Sequence, residues 1–253
     1  MGYSTREDAI LIKPAVKMKV ICVGLAKTGT TSLAKALRIL GYNVYDFKEH
    51  FTFHRQEWLD SFETDRLPNF KEMYQGVDAI TDVPAAFWFE EIAAVFPEAK
   101  VILTVRDSEE QWLESWKRQC QFIKNRPFLV KIALWWNGDE HFLRTDRVAI
   151  FGSSNPEATA LFRKKYRQHN ERVQAVISAE RLLVYNVKQG WKPLSEFLGF
   201  DIPSTQFPRA NVGQAETKKI FEEHAAKTKS TIIYIFLSGI LLFVAVVIVK
   251  LTG

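Results

Sequence analysis

Short apolar runs separated by helical patterns set the rhythm of the chain. Val20–Val23, Asn43–Phe47, Ala79–Val83, Lys100–Val105 and Leu182–Val187 each read as strands. The fourth run, KVILTV, is apolar without alternation, as a strand buried on both faces should be. Between the runs lie helical patterns. Thr31–Leu40 places Leu33, Ala36, Leu37 and Leu40 on one face, and Gly41 stops it. A second follows Pro84 with Phe87, Trp88, Ile92, Val95 and Phe96. A third begins near Ser108 and carries Trp112, Ser115 and Trp116, and others fall at 157–179 and at Trp191–Leu198. Residues 48–77 read as aromatic-rich helices, and 120–160 is the hardest stretch to read, taken as cap or substrate-facing structure. Strands alternating with helices predict an α/β fold, a doubly wound parallel sheet.

The last apolar run differs in kind. Ile232–Val249 holds 18 residues without a charge, 14 of them Ile, Leu, Phe or Val. As a helix it would be roughly 27 Å long, close to the hydrocarbon thickness of a thin bilayer. Its aliphatic and phenyl side chains would contribute about −4 to −8 kcal/mol to insertion. The expectation is a C-terminal transmembrane helix over 231–249, inserted as a tail anchor with the rest of the chain in the cytosol. The membrane would be that of the endoplasmic reticulum or another organelle. Residues 1–17 read as a polar lead-in without a signal-peptide core, 18–213 as the main domain and 214–230 as a polar connector.

Composition narrows this picture modestly. The 253 residues are 47% hydrophobic and 25% charged, with a formal net charge of +5. That excess suits an anionic ligand or a membrane surface and is too diffuse for nucleic acid. The two cysteines, Cys22 and Cys120, make neither a disulfide framework nor a metal site. His50 and His54 are four apart, but no further ligand stands in register, so no metal is expected.

The candidate chemistry starts at the turn after the first strand, GLAKTGTTS. Gly24 and Gly29 have the G-x-x-x-x-G spacing of a phosphate loop that opens a helix, where free amides and the helix dipole attract anions. A nucleotide-hydrolysing loop continues with Lys and Ser/Thr; here Thr30 and Thr31 follow, and the lysine sits inside the loop as Lys27. In parallel sheets ligands lie beyond the carboxyl ends of strands, which also selects Asp46, Asp82 and Arg106.

Three blocks resemble the sulfotransferase superfamily, in particular the P-loop branch often mislabelled as NAD-dependent epimerase/dehydratase: GLAKTGTTS, VILTVRDSEEQWLESW and LLVYNVKQGWKPLSEFLGFDIPSTQFPRAN. The resemblance covers residues 18–213. It implies metal-free, in-line transfer of a sulfuryl group from 3′-phosphoadenosine 5′-phosphosulfate (PAPS) to a hydroxyl or amine of a small-molecule acceptor. It further implies that Lys27 contacts the phosphosulfate and that Thr28, Gly29, Thr30, Thr31 and Ser32 hold the 5′-phosphate. Arg106, Ser115 and the late Arg209 would hold the 3′-phosphate, and Tyr185 would approach the adenine. Ser115 lies nine residues after Arg106, where the family has eight. For the base that activates the acceptor, Asp82 comes first and His50 second; Asp82 reads equally as a cap for the helix after Pro84. Phe51, Phe53, Trp58, Trp88, Trp135 and Trp136 are compatible with an apolar acceptor or with core packing. Two other readings stay open: a P-loop nucleotide kinase or hydrolase, and a non-catalytic membrane-anchored scaffold.

Overall fold

A computed structural model describes residues 18–64 and 66–210 and part of 215–234. Five strands form one parallel sheet in the order β2-β3-β1-β4-β5. They are β1 (Val20–Cys22), β2 (Val44–Tyr45), β3 (Ala79–Ile80), β4 (Lys100–Thr104) and β5 (Leu182–Tyr185). All five expected strands are present, each shorter than its apolar run. The order reverses at β1, so the crevice beyond the carboxyl end of that central strand is the place for a ligand.

Side-chain alternation along β1 explains the layers. Ile21 and Val23 point into one core with Ile80, Val101 and Leu103. Val20 and Cys22 point into the other with Ala79, Ile102 and Tyr185. The first face is covered by α2 (Phe47–Phe53), α3 (Arg55–Glu63), α4 (Phe70–Met73) and α5 (Phe89–Val95), and the second by α1 (Thr30–Ile39) and α10 (Trp191–Leu198). Fully burying a residue such as Ile21 contributes roughly 1.5–3 kcal/mol.

Beyond the sheet, α6 (Glu109–Lys124), α7 (Phe128–Trp136), α8 (Asp139–Phe151) and α9 (Thr159–Val176) resolve the stretch that the hydrophobic pattern leaves unreadable. Trp112, Trp116, Phe151, Phe162 and Tyr166 form a third core there. Trp112 stacks on Tyr166 with ring centroids 4.2 Å apart, and its indole N–H donates to the Ala26 carbonyl at 3.0 Å, tying α6 to the glycine loop.

Two expectations change, and a third lies outside the described residues. The helix expected after Pro84 starts only at Phe89, with turns before it. The domain does not end at 213: Ile220 and Phe221, in the expected connector, are buried in the first core. Among the described residues no helix is long and apolar enough to cross a membrane, and the segment expected to do so, 231–249, lies outside them except for Tyr234.

Candidate functional site

The glycine loop, the carboxyl ends of β1–β4 and the helices above them enclose a cavity of about 210 Å³. The loop's shape follows from two tight contacts. A β-carbon on Gly24 would stand 1.8 Å from Thr104 Oγ1, and one on Gly29 would stand 2.7 Å from Val187 Cγ1. Gly29, at φ 109°, is the N-cap of α1, and no side chain caps that helix. The first-turn amides, which have no intrahelical acceptor, therefore face the cavity.

Among the described residues, two non-glycine residues have positive φ: Lys27 at 72° and Asp82 at 68°. Both line the cavity. Left-handed backbone is costly for a residue such as lysine, and its occurrence at both positions marks a site that the fold over-determines. Lys27 Nζ donates to Gln119 Oε1 at 3.4 Å. Burial lowers its pKa; the charge of Asp82 opposes this, and Arg106 and Arg118 add to it. Asp82 accepts from Thr30 Oγ1 at 2.5 Å and from the Val83 N–H at 2.8 Å. Burial raises its pKa against those bonds and the pull of Lys27.

Arg106 leaves β4 and turns back on the loop, its Nε donating to the Lys27 carbonyl at 2.6 Å. The Tyr166 hydroxyl accepts its backbone N–H at 3.3 Å. Asp107, its acidic neighbour in sequence, is taken by Lys188 and by Asn186 Nδ2. Ser115 stands in α6 on the cavity wall with Arg106. Thr31 and Ser32 line it too, and the Ser32 hydroxyl accepts the Ala210 N–H at 3.0 Å. Arg209, exposed, precedes that anchored residue.

Three expected residues are placed differently. Thr28 is fully buried; its hydroxyl donates to the Leu25 carbonyl at 2.7 Å and meets Thr104 Oγ1 at 2.5 Å. It braces the loop and has no hydroxyl to spare. Tyr185 is buried in the second core, its hydroxyl donating to the Gly190 carbonyl at 2.6 Å, and it does not line the cavity. His50 is fully buried against Trp58 and Tyr74, with burial pushing it down to about 3. It too is absent from the cavity wall. Of the six aromatics compatible with an apolar acceptor none lines the cavity; Phe51 and Trp58 are core, while Phe53, Trp135 and Trp136 are exposed.

Asp46, Glu49 and Asp146 join Asp82 at the wall. Asp46 caps α2 in a capping box with Glu49 and accepts the Thr81 hydroxyl at 2.9 Å. Burial pushes it up to about 7, and the Asp82 charge adds to this. Asp146 of α8 was not singled out in the sequence. It is buried, its Oδ1 has no hydrogen-bond partner, and burial pushes it up to about 8 against the pull of Arg147. Its sequence setting, DEHFLRTDR, mixes three acids with two arginines and a histidine, and nothing in it singles Asp146 out. Among the described residues no acidic, His or Cys cluster could hold a metal. Around Asp146 the wall includes the apolar side chains Ile123, Leu143, Ile220 and Phe221, with Gln119, Arg147 and Thr217 among them.

A family model described as "Sulfotransferase domain" matches residues 19–216. The Ava biosynthesis cluster protein M of Aspergillus versicolor is 33% identical over 210 residues, covering 76% of this chain and 80% of that protein. The crystal structure of sulfotransferase STF9 from Mycobacterium avium aligns at a TM-score of 0.33 and 12% identity, covering 84% of this chain and 68% of that one.

Proposed function

The chain belongs to the sulfotransferase domain family, and we propose that it moves a sulfuryl group from PAPS to a hydroxyl or amine of a small acceptor with an apolar body. The observation that carries this reading is the pairing of Lys27 and Asp82. They are the two non-glycine residues held in left-handed backbone among those described, and each feels the other's charge across one cavity. One is a cation on the loop and the other a carboxyl at a strand end. That is the polarity that transfer of an anionic group between two oxygens requires.

The residues fit an adenylate with two phosphate ends. The uncapped amides of α1, with Thr31 and Ser32, suit the 5′-phosphate. Arg106 and Ser115, on the neighbouring wall, suit the 3′-phosphate, and exposed Arg209, next to the wall residue Ala210, would supply a late basic contact to it. PAPS supplies an activated sulfuryl group whose departure leaves charge on the 5′-phosphate. Lys27 stabilises that charge in a water-poor setting, where a fixed cation is worth most. Asp82 accepts the acceptor's proton, and Thr30 and the Val83 amide orient it. The apolar end by Ile123, Leu143 and Phe221 receives the acceptor's body. The relative's name, a biosynthesis cluster protein, agrees with a small-molecule acceptor.

Isothermal titration of the full chain tests the donor. Adenosine 3′,5′-bisphosphate should bind at least tenfold more tightly than adenosine 5′-monophosphate, and Arg106→Ala should erase most of that preference. Equal binding of the two nucleotides, or none, defeats the reading. Transfer of label from sulfate-labelled PAPS to metabolites of an extract then identifies the acceptor.

A further inference from the structure

α7 has the sequence FLVKIALWW. Ala133 and Leu134 are buried, and the opposite side is bare: Phe128 is 74% exposed, Leu129 76%, Ile132 39%, Trp135 69% and Trp136 57%. At 100° per residue these five fall within an arc of about 120°, a single stripe. Such a contiguous patch marks an interaction surface. Its makeup is specific. Two tryptophans, at the end of a helix otherwise aliphatic and phenyl on that side, are side chains that settle at the boundary between lipid and water.

The surroundings supply charge. A hollow of about 450 Å³ beside Trp135 is lined by Lys124, Arg126, Lys131, Arg144 and Arg147, with Glu140 as its one acid. Arg126 donates to that glutamate at 2.6 Å, yet its other terminal nitrogen, Nη1, is buried without a partner, as is Nη1 of Arg147. Cations outnumber acids five to one, and two buried guanidinium nitrogens are unsatisfied, so the hollow suits an acidic headgroup.

Continuity of the chain selects the occupant. Asn137, which ends α7, donates from Nδ2 to Thr228 Oγ1 at 2.5 Å. Thr228 lies four residues before the uncharged run that begins at Ile232. We infer that the bare face of α7 docks on an acidic lipid bilayer, with its aromatics at the headgroup boundary and the basic hollow holding lipid phosphates. A second copy of the chain would bring the same positive hollow against itself, whereas acidic lipid complements it.

The tryptophans report on this directly. Trp58, Trp112, Trp116 and Trp191 are buried and Trp88 is half-buried, which leaves Trp135 and Trp136 as the exposed indoles of the chain's seven. The full chain is reconstituted into phosphatidylcholine vesicles containing brominated lipid, with and without about one third phosphatidylserine. Quenching of tryptophan emission is expected, at least twofold greater with phosphatidylserine. It should fall by more than half in the Trp135→Phe/Trp136→Phe variant, which keeps the helix face apolar. Lys124→Glu/Lys131→Glu should abolish the phosphatidylserine dependence. Absence of quenching in the unaltered chain overturns the inference, since either another copy or the chain's own tail then covers α7. Quenching indifferent to phosphatidylserine overturns the role of the basic hollow.

Discussion

The cavity has two ends built on different principles. At the loop end nearly every polar group already has a task inside the protein. Thr28 braces the turn against Thr104, Arg106 holds the Lys27 carbonyl, and Ala210 holds Ser32. At the helical end, made by α6, α8 and residues 217–221, Asp146 Oδ1 is buried without a partner beside apolar side chains. On the proposed function the first end is the braced receptacle for the donor. The other retains an unsatisfied carboxyl oxygen, the arrangement expected where specificity comes from what a particular molecule brings.

Substitutions should separate the two ends. Lys27→Ala has the largest expected effect. It removes charge stabilisation made in the transition state, so turnover should slow by about two to three orders of magnitude, or about 2.7–4 kcal/mol. Single-turnover rates measure it, and a loss below fivefold would remove Lys27 from the chemistry. Asp82→Asn should slow turnover by about two orders of magnitude. It should also flatten the pH profile, in which activity otherwise rises as Asp82, whose pKa burial raises, gives up its proton.

Asp146→Asn should raise KM for the acceptor about tenfold while leaving KM for PAPS unchanged. Its stability signature has a definite sign. A carboxyl raised to about 8 in the folded state binds a proton more tightly there than when unfolded. Its contribution is complete at low pH and is lost as pH rises through that value. The melting temperature should therefore fall between pH 5 and 8 in the parent chain, and fall less in Asp146→Asn. Calorimetry at both pH values checks this. Ser115→Ala has the smallest expected effect, a rise of a few-fold in KM for PAPS with turnover unchanged; a change in acceptor KM instead would move Ser115 to the other end of the cavity.

The same division explains what the sequence disclosed. The loop end is encoded locally: glycine spacing, a displaced lysine and residues at strand ends are visible in short windows, and Lys27, Thr31, Asp82, Arg106 and Ser115 all reach the cavity wall. The five strands were visible because each is a short, mostly apolar run, and β1, β3 and β4 are buried along nearly their whole length. The helical end depends on how α6, α8 and residues 217–221 pack, and period alone does not tell which apolar side faces a core. Asp146 hid in a charged stretch for that reason. His50 and Tyr185 misled in the opposite way, since polar aromatic side chains satisfy a core as readily as a site.

The burial of Ile220 and Phe221 has a practical side. Both line the cavity together with Thr217, yet all three lie beyond the end of the matched family domain at residue 216. A protein trimmed after residue 213 to ease handling would lose two side chains of the first core along with one wall of the cavity. Its melting temperature should drop, and its cavity should stand open to water on that side.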